Sequence, residues 1–316
     1  MKQLLFTLFI ISTLGLFSCR KDKFQLTIKQ YDSTQIANYI AAHNLTGFVK
    51  DTVGGDTSGI WYKIITPGTG HAMAYSDLVP FVFTVQTVDG TYVKTDTIIN
   101  HFYDYLGHVS ANGYNSDLTP GLQTAIKNDL IFVGGSMRVI VPSRLAYGHY
   151  GKGQGSSQVG NNRIAGNECL DYYVHVIDNV ADYDDKSINK YMTDSSLMGY
   201  TKVESILYPK NYYYYKVLTP GTGTDYLTEN STVTAVYDGL LLNGTNFGNY
   251  HGSGGQSFFV GTLTQGVKEA LIKGALLNTK IDIIAPSVLE YGLSGSTGIP
   301  AFSCLRFSFV VDAVTP

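Results

Sequence analysis

The chain has 316 residues, which suggests about two domains. Its 44% hydrophobic and 15% charged content excludes general intrinsic disorder, because this much apolar surface supports packed cores. A formal net charge of −3 and the absence of a basic stripe in the sequence argue against a nucleic-acid partner.

The N-terminus has the composition of a secretion signal. Lys2 precedes an apolar run from Leu4 to Phe17, which is shorter than the roughly 20 residues of a membrane-spanning helix. The run leads into the sequence LFSC, which ends at Cys19 and resembles a bacterial lipobox. We therefore expect a lipoprotein of the bacterial cell envelope, held on the periplasmic or surface face of a membrane by a lipid on Cys19. The alternative is an ordinary cleaved signal peptide and an unrelated cysteine.

A helix is predicted ahead of each of two similar segments. Ile36, Tyr39 and Ile40 have the i, i+3, i+4 spacing of an amphipathic helix. The same spacing recurs 152 residues later at Ile188, Tyr191 and Met192. Asp32 is the candidate N-cap of the first helix, and the aspartates at 184–185 are the candidates for the second.

The similarity continues downstream, so the chain contains the same unit twice. The segment IITPGTG at 64–70 recurs as VLTPGTG at 217–223, an offset of 153 residues (217 − 64). The segment PSRLAYG at 142–148 recurs as PSVLEYG at 286–292. Self-similarity of this extent indicates two domains of one type.

We accordingly divide the chain into a signal peptide at residues 1–19, a first domain at 20–181 and a second domain at 182–316. The boundary is placed in the polar run at 181–185. Cys169 and Cys304 stand at equivalent positions of the two domains. They form no C-x-x-C pair and the seven histidines are scattered, so no metal and no cofactor are predicted; both cysteines are interpreted as buried hydrophobic residues.

The second domain has the clearest strand pattern, VTAVYDGLLLNGTNF at 233–247. Its alternation predicts a half-buried strand, and Asn243-Gly244 predicts a hairpin turn because both residues tolerate positive φ. A later strand at 281–285 is stopped by Pro286. Two tyrosines and a phenylalanine are thereby expected to converge at the rim of one sheet.

These segments resemble the FKBP family of peptidyl-prolyl cis/trans isomerases. The family pattern V-x-V-x-Y-x-G-x-L-x-D/N-G-x-x-F is followed by P-x-x-L-x-Y-G and by I-P-x-x-x-x-L-x-F, here IPAFSCLRF at 299–307. The resemblance implies an α+β fold with two tandem domains, each a bent antiparallel sheet wrapped on a short helix and preceded by a helix. The short helices are expected at 121–128 and 266–272.

The resemblance also implies a site in the second domain. Tyr237, Phe247 and Tyr291 match the catalytic positions, with the Tyr291 hydroxyl on the substrate carbonyl. The remaining expected lining residues of this apolar pocket are Phe258, Leu263, Thr264, Val267 and Phe307. Two residues depart from the family: Gly248 replaces an aspartate and Val267 a tryptophan.

The first domain departs further from the pattern. Only Tyr147 is kept, as a candidate substrate-binding residue. The substituted positions are Phe83 for tyrosine, Val85 for glycine, Val93 for phenylalanine, Lys94 for aspartate and Leu122 for tryptophan. We therefore expect any activity to reside in the second domain.

Three functions remain open on the sequence. The first is a prolyl isomerase that assists the folding of envelope proteins and binds their proline-containing segments without a cofactor. The second is a catalytically weak or inactive chaperone that binds extended or proline-containing segments. The third is a surface lipoprotein whose repeats act as spacers.

Overall fold

The computed structural model describes residues 26–53, 55–108, 117–156 and 162–316. The expected signal peptide and Cys19 lie outside these residues. Within the described ranges, no helix has both the length and the apolar character needed to cross a bilayer.

The first unit is a seven-stranded antiparallel sheet with a helix on each face. Its strands have the order β1-β2-β6-β7-β3-β4, with β5 paired to β3. The elements are α1 (Ile28–Ala42), β1 (Val49–Lys50), β2 (Trp61–Thr66), β3 (Leu78–Thr87), β4 (Val93–Lys94), β5 (His101–Tyr105), α2 (Pro120–Ala125, continued as a π-helical turn over Ile126–Leu130), β6 (Ser136–Val141) and β7 (Leu170–Val176).

The second unit repeats this arrangement. Its sheet has the order β11-β10-β14-β13-β9-β8, with β12 paired to β10. Read in reverse, from β8 to β11, each strand corresponds to the strand at the same place in the first sheet. The elements are α3 (Val180–Asp194), β8 (Thr201–Glu204), β9 (Tyr212–Thr219), β10 (Thr232–Leu241), β11 (Asn246–Tyr250), β12 (Gln256–Phe259), α4 (Gln265–Gly274), β13 (Lys280–Ala285) and β14 (Leu305–Thr315). The α+β class and the tandem repeat are confirmed.

The short helices pack on one face of each sheet and form the main cores. In the first unit Leu122 and Ile126 are fully buried against residues of β3, β6 and β7. In the second unit Val267 and Leu271 occupy the same place against β13 and β14. Each fully buried side chain of this size contributes about 1.5–3 kcal/mol of hydrophobic free energy.

The leading helices α1 and α3 cover the opposite face. Ile140 points away from the main core because its neighbours on β6 point into it, and it packs with Ile36 and Tyr39 of α1. Cys169 and Cys304 are buried beneath these helices as free thiols, as the sequence predicts. Each unit therefore has three layers, helix on sheet on helix.

Both predicted helix caps are wrong. Helix α1 begins after Thr27, whose side chain accepts from Gln30 in a capping box, and α3 begins after Asn179. Asp32 instead lies inside α1, where it is buried and accepts a hydrogen bond from Ser143 Oγ at 2.7 Å. Asp184 does the same inside α3. A buried carboxylate thus ties each leading helix to its own sheet.

The boundary predicted at 181–185 falls within α3. These residues belong to α3, which covers the second sheet, and the connection between the units is the segment 177–179 that follows β7. The hairpin predicted at Asn243-Gly244 is present. Of its two turn residues only Gly244 has positive φ (85°), because the turn is a three-residue loop closed by Gly244 N–H and Leu241 O at 2.9 Å.

A buried ion pair crosses the two central strands of each sheet with reversed polarity. In the first unit Arg138, third residue of β6, binds Asp171, second residue of β7, with Nε–Oδ1 at 2.9 Å. In the second unit the third residue of β13 is Asp282 and the second residue of β14 is Arg306, with Nη2–Oδ2 at 2.7 Å. Both aspartates are buried. The two positions must therefore carry opposite charges, but either one can carry the positive charge.

We predict that this pair tolerates exchange but not loss. Arg306→Ala leaves the Asp282 carboxylate buried without its cation and should lower the free energy of unfolding by about 3–5 kcal/mol. The double variant Asp282→Arg with Arg306→Asp reproduces the polarity of the first unit and should recover at least half of that loss. Urea denaturation of the full chain measures both. A double variant no more stable than Arg306→Ala would contradict the interpretation.

Candidate functional site

A β-bulge places Phe247 at the site. The antiparallel ladder pairs Gly239 of β10 with Gly248 of β11, and next pairs Leu240 with Asn246, so Phe247 is an extra residue without a partner. Bulges of this kind bend a strand and redirect a side chain. Here the redirected side chain is the phenylalanine that the sequence assigns to the pocket.

The position of that ring depends on the glycine across from it. A Cβ added at Gly239 would lie 2.7 Å from Cε2 and Cζ of Phe247, closer than any side chain can be accommodated without movement. The eighth residue of β10 must be a glycine, because the Phe247 ring fills the space that any other side chain would need. The eighth residue of β3 in the first unit is Val85, and β4 has no bulge.

The resulting cleft has a volume of about 360 Å³, within the range of small-ligand sites. All eight residues that the sequence assigns to the second domain line it: Tyr237, Phe247, Phe258, Leu263, Thr264, Val267, Tyr291 and Phe307. Residues that sequence reasoning missed are Thr262, Ser296, Thr297, Ile299 and Phe309. Phe309 could have been found, because it lies two residues after Phe307 on the same face of β14.

Aromatic rings form the cleft wall. Tyr237 is edge-to-face with Phe258 at a ring-centroid distance of 5.5 Å and stacks on Phe309 at 5.7 Å. Phe247 meets Phe307 edge-to-face at 5.6 Å. These geometries match the preferred arrangements of aromatic pairs, so the wall is rigid and apolar.

Two tyrosine hydroxyl groups belong to the polar part of the cleft. Tyr291 is 40% exposed at its mouth. Neither Tyr291 nor Tyr237 has a hydrogen-bond partner for its hydroxyl in the described part of the chain. Burial, helped by the nearby Glu290 carboxyl, raises the pKa of Tyr291, so its hydroxyl stays protonated and available as a donor.

One curated protein resembles the chain over most of its length. Human peptidyl-prolyl cis-trans isomerase FKBP10 is 24% identical over 249 residues, which are 77% of this chain and 35% of that protein. The chain therefore spans about a third of the length of this relative. No family model matches the chain. The sequence similarity and the ordered motifs at the cleft agree. The chain is thus similar to the FKBP family.

Solved structures have partial similarity to the chain. The three FKBP domains of wheat FKBP73 align with 84% of this chain and 98% of their own, at 17% identity and a TM-score of 0.32. FkpA from Escherichia coli aligns with 43% of this chain and 61% of its own, at 28% identity and a TM-score of 0.36. A peptidyl-prolyl isomerase from Pseudomonas syringae aligns with 44% and 98%, at 24% identity and a TM-score of 0.35.

The site departs from the FKBP pattern at Gly248, which offers no acceptor. A Cβ built at Gly248 would lie 3.6 Å from the Tyr237 hydroxyl, which is ordinary van der Waals contact, and its backbone is not in the left-handed region. An aspartate would therefore fit there and could accept from Tyr237. At the floor, Val267 is 2% exposed and leaves the cleft deeper than a tryptophan would.

In the first FKBP-like unit the corresponding space is occupied by the unit's own side chains. Tyr147 does not join the cleft of the second unit; it is 8% exposed, and its hydroxyl lies 3.3 Å from Lys152 Nζ. Lys152 also pairs with Asp117 at 2.6 Å. Tyr92 and Tyr172 are buried in the same core. The candidate hydroxyl of this unit is thus engaged within the protein.

The expectation that Val93 takes the phenylalanine position is wrong. Val93 is 54% exposed, and the inward-facing residue is its neighbour Tyr92. Without a bulge, Val93 pairs regularly with Gln86, so its side chain falls on the outer face. Sequence spacing alone could not show this, because the extra residue lies in the turn of the first unit and in the bulge of the second.

A buried carboxyl at the start of α4 is a further feature of the second site. Glu290 occupies the position where the first unit has Ala146, and both of its oxygens are buried without a hydrogen-bond partner of normal geometry among the described residues. A Cβ at Gly266 would clash with Glu290 Oε1, so the carboxyl lies against the first turn of α4. Burial raises its pKa to about 8, while the nearby Thr264 hydroxyl and Val267 N–H oppose part of that rise.

We predict that Glu290 makes stability depend on pH. A folded-state pKa near 8, above the ordinary value of about 4.3, means that the folded chain binds the extra proton between these values. The contribution of the Glu290 proton to the free energy of unfolding is complete below about pH 4 and is lost as the pH rises through 8. Glu290→Gln should therefore become progressively more stable than the unaltered chain from pH 5 to pH 9 in denaturant titrations.

Comparison with a surface residue isolates this effect from other titrating groups. Burial also raises the pKa of Asp129, Glu168 and Asp184, so only the difference between variant and parent is informative. Glu229 has a largely exposed side chain, and Glu229→Gln is the matched control. If the two variants follow the same pH course, the assignment to Glu290 is wrong.

Proposed function

We propose that the second unit is a peptidyl-prolyl cis/trans isomerase that acts on proline-containing segments of cell-envelope proteins through its aromatic cleft. The observation that carries this proposal is the convergence of Tyr237, Phe247 and Phe307 around an apolar cleft with the Tyr291 hydroxyl at its mouth. The similarity to the FKBP family supports it.

The chemistry needs no nucleophile and no cofactor. Rotation about the peptide bond faces a barrier of about 18–20 kcal/mol because amide resonance must be broken. The twisted transition state separates less charge than the planar amide, so an apolar wall stabilises it relative to the ground state. Among the described residues, no group of three or more metal-ligating side chains is found that could hold a metal ion.

Each side chain has a distinct part in this mechanism. The proline ring enters between the aromatic residues, where Phe247 excludes water, and Val267 forms the floor. Tyr291 donates its hydroxyl to the carbonyl of the substrate segment and holds it while the bond turns. The raised pKa of Tyr291 supports its role as a donor throughout the neutral range.

A second candidate function is a binding module without useful catalysis. Gly248 favours it, because the Tyr237 hydroxyl then has no acceptor to orient it in the cleft. In that case the cleft binds proline-containing or extended segments and releases them unchanged. An isomerisation assay on a proline peptide, combined with a binding measurement on the same peptide, separates the two functions.

We predict that activity depends on two side chains of the second unit. Tyr291→Phe removes one transition-state hydrogen bond and should cost about 1–2 kcal/mol, or roughly five- to thirtyfold in catalysed rate. Phe247→Ala should cost more, because it opens the wall of the cleft to water. The rate of cis–trans isomerisation measures both variants, after thermal unfolding shows that they are folded.

The repeat supplies the matched controls. Tyr147→Phe makes the same chemical change at the equivalent position of the first unit, and Val93→Ala shortens an exposed side chain there. Both should leave the rate almost unchanged. Loss of activity in Tyr147→Phe, with Tyr291→Phe fully active, would show that catalysis resides in the first unit and that our assignment to the second is wrong. A parent chain that binds the peptide without accelerating isomerisation would favour the binding module.

We further propose that the chain is a lipoprotein anchored through Cys19 to a membrane of the cell envelope. The support is the sequence LFSC after an apolar run with a basic start. Cys19→Ala should move the protein from the membrane fraction to the soluble fraction and abolish incorporation of a labelled fatty acid. Ser18→Ala keeps the cysteine and is the control. A parent chain that incorporates no lipid would refute the anchor.

A further inference from the structure

One wall of the cleft belongs to the segment 292–304, which connects Tyr291 to β14. Ser296, Thr297 and Ile299 of this segment line the cleft. Ser296 and Ile299 exchange two backbone hydrogen bonds of 2.9 Å, so this part forms a closed turn. Sequence reasoning did not identify this wall.

The far end of the same segment leaves the second unit and packs into the first. Phe302 is fully buried, and its core neighbours include Val82 of β3 and Ile177 at the end of the first unit. Tyr103 and Tyr183 are among the partly buried residues that pack against this cluster. The side chain that follows the cleft wall is therefore part of a core between the two units.

His101 of the first unit contacts this end directly. Its ring stacks on Phe302 with centroids 4.3 Å apart and planes 9° apart. Its Nδ1 lies 2.5 Å from the carbonyl oxygen of Ala301, and a carbonyl can only accept, so Nδ1 carries the proton and donates. Burial lowers the pKa of His101, while hydrogen bonds to the backbone of Ala301 and Thr97 and the charge of Asp96 oppose part of that shift.

The backbone of Phe302 indicates that its position is imposed by its surroundings. Its φ is +37°, a left-handed conformation that bulky residues rarely adopt and that persists only where surrounding contacts determine it. Its N–H donates to the carbonyl of Gly292 at 3.1 Å, next to Tyr291. The contacts from the first unit are thus connected, through one residue, to both ends of the cleft segment.

We propose that the first unit holds the cleft of the second unit in its binding conformation, with His101 as the positioning residue. The first unit, whose own candidate site is filled by its tyrosines, then acts on substrate through the neighbouring unit. Its effect on substrate rests on the proposed function, whereas the restraint of the segment 292–304 does not. No residue of the first unit needs to touch the substrate.

The test uses the full chain with His101→Ala, which changes no residue of the second unit. His108→Ala is the control, because the described partners of His108, Asp104 and Tyr105, lie in the first unit. Hydrogen exchange of the backbone amides of Ser296, Ile299 and Phe302 reports the segment directly. Affinity for a fluorescent peptide that contains a leucine–proline bond reports the cleft.

In His101→Ala we expect exchange at these three amides to accelerate and the peptide Kd to rise by about two- to tenfold, the range for one lost hydrogen bond. Exchange in β10 and β13 should stay as in the parent, which separates loss of positioning from general destabilisation. In a Phe302→Leu background, which removes the stacking partner, the effect of His101→Ala should shrink, since residues in contact are not additive.

The outcomes separate this inference from the proposed function. Unchanged exchange at the three amides in His101→Ala, or the same change in His108→Ala, would overturn the inference. Accelerated exchange with an unchanged peptide Kd would also overturn it, because the segment would then not serve the cleft. A parent chain that neither binds nor isomerises the peptide would overturn the proposed function, and the exchange data would still decide whether the first unit restrains the segment.

Discussion

A buried hydrogen bond between a helical aspartate and a serine is the constraint on which each unit depends. Asp184 of α3 accepts from both the backbone N–H and the hydroxyl of Ser287, at 2.8 and 2.6 Å. Ser287 begins the short turn that leads to Tyr291, so the helix on one face of the sheet fixes the residue that reaches the cleft on the other. Removing one partner would leave a buried acceptor unsatisfied, which is costly in an apolar interior. Asp32 and Ser143 form the same connection in the first unit.

The fold could be predicted from the sequence to a large extent, because the signals for it are local. Alternation in β10 placed Tyr237 on the inner face, and the repeated segments predicted two domains of one type. The failures share a different origin. Asp32 and Asp184 have the chemistry of helix caps, yet each satisfies a serine that lies more than 100 residues away in the chain. No local pattern contains that information.

The site shows the same division between local and tertiary information. All eight residues that the ordered motifs predicted for the second unit line the cleft, since a motif records chain positions that a fold brings together. They did not identify Ser296 or Ile299, which belong to an irregular segment, nor the contact of His101 with Phe302 across the two units. The sequence shows Glu290 only as the residue that stands where the first unit has Ala146. Its significance depends on the burial of its carboxyl group, which the residue type alone does not show.

The bulge at Phe247 has a consequence for how the two units are related. Side chains alternate along a strand, so the place of one extra residue sets the reading frame of everything after it. The first unit carries that residue in its turn, between Thr87 and Tyr92, and the second carries it beyond the turn. To convert the first arrangement into the second, one residue must be deleted from the turn, one must be inserted into the strand after it, and Val85 must be replaced by glycine. None of these changes alone places an aromatic ring in the cleft. Point substitutions by themselves therefore cannot interconvert the two sites, and each copy is confined to its own architecture.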